Sequence, residues 1–292
     1  MPTDIIQWFP GHMAKTKRLI RENLASVDIV IELLDARIPY SSANPELASL
    51  IGEKPVITVM NKASLADEKA SALWREHYMK EGKRCIVCDC ISGSGLGLLK
   101  DGISKALSGK LAKYEEKGMS GRHVKAMIVG IPNVGKSSLI NKLSKGKSAK
   151  VENRPGVTLN KQWVTTNIGI DLLDMPGVLW PKFDSRTVGE NLAATGAIKD
   201  DVVIPEQIAS ALCKNLAKNY QSLLCARYKL TEEKLAECED GEKILELICK
   251  KRGFLLPGGV LDTERGAGVI LEEFRNGKIG RITLERPEDT FI

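Results

Sequence analysis

The sequence predicts an α/β fold, a mostly parallel sheet with helices on both faces, followed by a small C-terminal helical domain. Three observations carry this. Apolar, β-branched runs alternate with helical periodicity up to about residue 175, the pattern of a parallel sheet covered on both sides. One of those runs leads straight into a glycine-rich loop and a helix. After about residue 185 only helical periodicity remains.

Taken in order, a basic helix is expected over 12–24. VDIVIELLDA (27–36) is a continuous apolar run and reads as a strand buried on both faces. A short helix follows near 45–51, and KPVITVMNK supplies a second strand. A helix over 67–81 has Asp67 as its expected N-cap. RCIVCDC is a third strand, LGLLKDGISKALSGK a helix, and 112–122 (AKYEEKGMSGR) a linker. HVKAMIVG is a fourth strand, with a helix after it to Ser144 and two short strands over 162–168 and 169–174. Helices are expected near 186–198, 205–227, 231–237, 241–251 and 262–275, and GKIGRITLERP as a short strand or tail. The domains are therefore placed at 1–185 and 186–292.

Composition narrows the function classes. The 292 residues carry 43% hydrophobic and 27% charged residues, ordinary for a soluble globular protein. No apolar run approaches the ~18 residues a membrane span needs, and MPTDIIQWFPGHMAK lacks a signal-peptide layout. Seven cysteines without scaffold spacing suit a reduced, cytoplasmic setting. Neither a membrane nor a DNA partner is expected. Cys85, Cys88 and Cys90 on one strand cannot all face one ion, so zinc is not expected there. The net charge of +6 is concentrated: MAKTKRLIR (13–21) has four cations and no acid, and 141–161 has six cations against Glu152 alone. Such clusters suit phosphate backbones, or simply form a solvated face.

Gly130-Ile-Pro-Asn-Val-Gly135-Lys136-Ser137 matches G-x-x-x-x-G-K-[ST], between an apolar strand and a helix. This is the phosphate-binding loop of P-loop NTPases. Backbone N–H groups from Asn133 to Ser138, Val134 among them, wrap the phosphates, Lys136 reaches the β and γ oxygens, and the Ser137 hydroxyl ligates Mg²⁺. DMPG (174–177) lies some 40 residues on, at a strand end. Asp174 is placed to hold Mg²⁺ through water, and Gly177 to bring its N–H to a γ-phosphate. Thr158, in RPGVT between the two, is placed to close on Mg²⁺ and γ-phosphate. A tight turn and a loop threonine are the plain alternatives.

Asn61 and Lys62 begin an N-K-x-x motif at the end of the second strand. Asn-Lys-x-Asp in that position holds guanine in many GTPases, with the aspartate accepting from N1–H and the 2-amino group. Here the fourth residue is Ser64, a neutral hydroxyl, and the loss is worth roughly 1.5–3 kcal/mol of discrimination. Backbone groups of Asp89, Cys90, Ile91 and Ser92 are expected to read the base O6. GTP and GDP are the expected ligands, with weakened base selectivity.

The motif order is the most informative feature. In ordinary GTPases the guanine motif and the base-contacting loop follow DxxG. Here nothing after Gly177 supplies those strands, and the three strands that fit them all precede the P-loop. Ligands of open α/β sheets bind where strand ends converge, whatever the chain order. A circular permutation, in the order G4-G5-G1-G2-G3, therefore keeps the site intact. It also leads the switch segment directly into the helical tail.

With WFPGHMAK at the N-terminus, DARIPYSSANPEL, the order NKxx, GIPNVGKS, DMPG, and LWPKF after it, the chain resembles the circularly permuted GTPases of ribosome assembly over most of its length. A cytoplasmic protein, monomeric off the ribosome and of low intrinsic rate because Val178 cannot hydrogen-bond water, is expected, and the resemblance implies a GTPase. It implies that the maturing large ribosomal subunit is the partner, that the helical tail contacts rRNA, and that the ribosome stimulates hydrolysis. Val178 stands where many GTPases place a water-orienting Gln. The resemblance points to His12 as the catalytic group instead, and to Asn133 as a K⁺ ligand beside the phosphates. Lys250, Lys251 and Arg252 are candidate RNA contacts. Two further readings remain at this stage: an RNA-docking module that uses nucleotide only as a switch, and a permuted NTPase of relaxed base selectivity.

Overall fold

The structure, a computed structural model, describes residues 11–119, 122–144, 162–180, 182–183 and 185–289; within these, the side chains of residues 11–13 and 162 are not described. The chain divides into two units. One comprises Gln7–Lys182 with Glu285–Glu288, the other chiefly Phe183–Leu284. The boundary expected at 185 thus falls at 182/183, and a piece of the expected tail belongs with the first unit.

The first unit is built on α1 (Gly11–Leu24), β1 (Ile29–Asp35), α2 (Pro39–Ser42), α3 (Pro45–Ile51), β2 (Val56–Asn61), α4 (Glu68–Lys80) and β3 (Arg84–Val87). It continues with α5 (Gly97–Ala106), α6 (Ser108–Glu116), β4 (Val124–Gly130), α7 (Lys136–Leu143), β5 (Gln162–Thr165) and β6 (Ile170–Asp174). The strands form one sheet in the order β3-β2-β1-β4-β6-β5. All neighbours are parallel except the edge strand β5, which runs antiparallel to β6. The central strands are apolar throughout because both faces are covered. On one face Ile20 of α1 and Leu47 and Ile51 of α3 pack with Val30, Met127, Val129 and Leu173 of the sheet.

Asp67 caps α4, its Oδ1 accepting from the backbone N–H of Lys69 (2.9 Å) and Ala70 (3.2 Å). Two differences from expectation are local. The stretch read as a linker from 112 is helical to Glu116, as α6. The polar loop after β1 holds α2, which sequence reading missed because four residues show no periodicity.

The second unit contains α8 (Arg186–Ala194), α9 (Pro205–Asn219), α10 (Gln221–Tyr228), α11 (Glu232–Ala236), α12 (Gly241–Arg252) and α13 (Thr263–Arg275). Its core is α9, which buries Ile208, Leu212, Cys213 and Leu216 among Ile244, Leu245 and Ile248 of α12 and Ile270, Leu271 and Phe274 of α13. The single helix expected over 205–227 breaks at Tyr220, whose φ is −141°. The Tyr220 hydroxyl bonds both the carbonyl and the N–H of Thr283 (3.0 Å each), so the segment after α13 is held without being a strand.

Candidate nucleotide-binding site

Parallel strands put their carboxyl ends on one edge, and the motif residues sit there: Asp35 ends β1, Asn61 ends β2, Gly130 ends β4 and Asp174 ends β6. Register carries the alignment. Asp35 pairs with Asn61, Leu33 with Gly130, and Ile128 with Asp174. Elements far apart in the chain therefore converge.

Asn61 joins the loops. Its Nδ2 donates to the carbonyl of Val134 in the phosphate loop (2.8 Å), and its Oδ1 accepts from the N–H of Cys90 after β3 (3.0 Å). Gly135 makes the approach feasible. It has φ +105° at the start of α7, and a Cβ there would lie 2.3 Å from Asn61 Nδ2. Val134 is buried beneath the loop, and Asn133 is exposed at its tip with φ +57°. Ser137 and Ser138 lie half-buried on the first turn of α7, whose positive end faces the loop.

Lys136 is buried, with Nζ donating to the carbonyls of Gly130 (3.1 Å) and Ile131 (2.8 Å). Burial lowers its pKa to about 8, against the pull of Asp174. Gly177 of DMPG packs directly on this loop: a Cβ there would meet Pro132 at 2.8 Å and Lys136 Nζ at 3.1 Å. Burial raises the Asp174 carboxyl, with Lys136 opposing. The Asp174 Oδ1 is buried and accepts no hydrogen bond among the described residues. An orphaned buried carboxylate oxygen at the strand end next to the phosphate loop is the kind of hard donor that fits Mg²⁺. Thr158 lies outside the described residues, and so does the side chain of His12, though its backbone is in α1.

Lys62 has φ +63° and sends Nζ to Asp35 Oδ2 (2.9 Å). Arg37 grips the same carboxylate through Nε (2.9 Å) and Nη2 (2.7 Å). Burial opposes ionisation of Asp35, but Arg37 and Lys62 hold it well below the usual carboxylate range. With its head fixed, the Lys62 stem is held at the edge where a base would lie. Asp35 and Arg37 were not singled out as site residues. Their signal was present in DARIPYSS, a charged pair directly after an apolar strand.

The loop after β3 departs from expectation. The N–H groups of Asp89, Cys90, Ile91 and Ser92 were expected to face the base. Instead Asp89 N donates to the Ser94 carbonyl (2.9 Å), Cys90 N to Asn61, and Ile91 N (3.0 Å) and Ser92 N (2.8 Å) to Asp89 Oδ1. In this arrangement all four N–H groups donate within the protein. The Asp89 side chain organises the loop, and its Oδ2 accepts from the N–H (3.1 Å) and hydroxyl of Ser64.

In the second unit, Arg252 is not a free surface cation. Arg252 Nη2 lies 3.2 Å from Glu273 Oε1, and Arg227 and Tyr228 bind the same carboxylate. Lys250 and Lys251 are exposed at the end of α12, just before exposed Leu255 and Leu256.

The family model described as 50S ribosome-binding GTPase matches residues 125–229, starting in β4 just ahead of the phosphate loop. A protein of Bacillus licheniformis named ribosome biogenesis GTPase A is 43% identical over 285 residues, covering 98% of this chain and 99% of that one. Two solved structures of YlqF from T. maritima are each 30% identical. The GDP-bound one has a TM-score of 0.66, covering 93% of this chain and 100% of that chain. The GNP-bound one scores 0.63, covering 94% and 100%.

Proposed function

Because the chain belongs to the ribosome biogenesis GTPase A family, we propose that it is an assembly factor for the large ribosomal subunit whose GTP hydrolysis is switched on by the ribosome. It is a GTPase with a P-loop fold. The observation that carries the reading is the bridge made by Asn61 between Val134 and Cys90. One side chain joins the base loops to the phosphate loop, although the former precede the latter in the chain.

The residues have distinct tasks. Lys136 and the N–H groups of the Val134–Ser138 turn bind phosphates. Ser137, Asp174 through water, and Thr158 would hold Mg²⁺, which supplies charge neutralisation on the phosphates. Lys62 lies along the base. Gly177 admits the γ-phosphate close to the loop. Low intrinsic turnover follows from Val178: its side chain is buried and apolar, its N–H donates to the Gly130 carbonyl (3.1 Å), and its carbonyl accepts from Asn44 (3.2 Å). It cannot orient a water molecule. The His12 imidazole takes that role when the N-terminal segment is docked on the ribosome. Asn133, at the exposed tip of the loop, offers an amide oxygen for K⁺ near the phosphates. Exposed Lys250 and Lys251 beside an apolar tip are the proposed rRNA contacts of the helical unit.

The test is turnover of GTP and ATP, in K⁺ and in Na⁺, with and without large subunits. Stimulation by the subunit in K⁺ is expected, with His12→Ala losing it while GDP affinity stays unchanged. Unaltered stimulated turnover in that variant removes His12 from the mechanism. A protein that binds large subunits but turns over no faster with them is a nucleotide-gated docking module instead.

A further inference from the structure

The base site has an aspartate, but on the other loop. Ser64 occupies the place where the guanine-binding motif ordinarily carries its carboxylate, and its N–H and hydroxyl both donate to Asp89 Oδ2. Asp89 Oδ1 is filled by the N–H groups of Ile91 and Ser92. The carboxylate is buried and its lone pairs are engaged by the protein, whereas Ser64 is exposed. A serine hydroxyl has one proton and two lone pairs. With the proton committed to Asp89, Ser64 presents lone pairs only, backed by a negative charge.

That distinction matters for the base. Guanine offers two donors on this edge, N1–H and the 2-amino group. Adenine offers the N1 lone pair and a C–H. A freely rotating hydroxyl serves either base, whereas an acceptor-only hydroxyl serves guanine and repels adenine. We propose that Asp89 fixes Ser64 as an acceptor, so that the pair reads guanine jointly, with the charge on one loop and the contact atom on the other. Asp89 is thus a positioning residue that sets specificity through Ser64. Burial disfavours its ionised form, but the bonds from Ser64 and Ser92 hold the carboxyl below its ordinary value, so it is charged at neutral pH. The inference rests on reading the Asn61–Ser64 loop as the base site.

The test measures Kd for GDP and for ADP on the full chain and three variants. Asp89→Asn keeps an oxygen for the Ile91 and Ser92 N–H groups, so the turn survives, but removes the charge and lets the Ser64 proton rotate. The preference for GDP over ADP is expected to fall by roughly tenfold or more. Ser64→Asp sets two carboxylates against each other and is expected to weaken GDP binding by at least about tenfold. Ser64→Asp combined with Asp89→Ser restores the pair in the opposite sense and is expected to return the GDP preference to within about threefold of the unmodified protein. A purely structural Asp89 predicts no change in Asp89→Asn and no such rescue. An unchanged preference in Asp89→Asn, or a folded double variant no more selective than Asp89→Asn, overturns the inference while leaving the guanine site standing. An unmodified protein that binds ADP as tightly as GDP overturns the base-site reading itself.

Discussion

The two ends of the nucleotide site are built on opposite terms. On the base side, polar groups are paired with protein partners: Asn61 bridges two loops, Asp35 holds Lys62 and Arg37, and Asp89 holds Ser64. On the phosphate side the charged groups are under tension. Lys136 is buried against backbone carbonyls with its pKa down at about 8, and Asp174 is buried with an oxygen that accepts no hydrogen bond among the described residues. A satisfied network is rigid before ligand arrives. A frustrated one gains most from a ligand that brings negative charge and a cation. The base side is therefore expected to act as fixed scaffold, and the phosphate side to respond to what is bound.

Three measurements sharpen or break this contrast. The largest effect is expected from Asp35→Ala, which leaves Lys62 and Arg37 buried without their counter-ion. Unfolding free energy should drop by about 3–5 kcal/mol in denaturant titration. Next, Lys136→Ala should weaken GDP binding about 100-fold, from loss of charge-assisted bonds to phosphate, while thermal stability stays equal or rises because a buried charge is removed. A Lys136 variant as unstable as the Asp35 variant would erase the contrast.

The smallest effect is a proton count. The folded Lys136 pKa lies below the 10.5 of an unperturbed lysine. Below about 8 both folded and unfolded states carry the proton, so pH has no effect on stability through this group. Between about 8 and 10.5 the unfolded chain holds more protons, so the stability contribution rises with pH. Phosphate binding favours the charged amine. GDP binding near pH 9 should thus take up protons, seen as a dependence of calorimetric enthalpy on buffer ionisation heat, and affinity should fall as pH rises past 8. Absence of proton uptake would mean Lys136 is not strained.

Much of the fold could be read from the residues because the signals were local. Buried parallel strands are apolar runs such as VDIVIELLDA, Asp67 is a cap by its position before a helical period, and the phosphate loop is recognisable from G-x-x-x-x-G-K-[ST] between an apolar run and a helical period. What escaped was non-local. Glu285 is buried with its carboxylate on Tyr40 N (2.8 Å), Ser41 N (3.1 Å) and the Ser41 hydroxyl, partners some 245 residues away in the chain. In sequence it is one acid in a polar tail. Likewise the sequence offers the loop after β3 chiefly through its backbone groups, whereas the Asp89 side chain engages two of its N–H groups.

The sequence by itself determined which strands exist, that their order is permuted, and which residues belong to the phosphate loop, since backbone geometry and periodicity act over a few residues. Only the tertiary structure decided that Ser64 is backed by the carboxylate of Asp89. Ser64 and Asp89 meet because β2 and β3 are parallel neighbours whose ends share one edge of the sheet. A hydrogen bond between loops depends on that placement, and no local pattern in either loop encodes it.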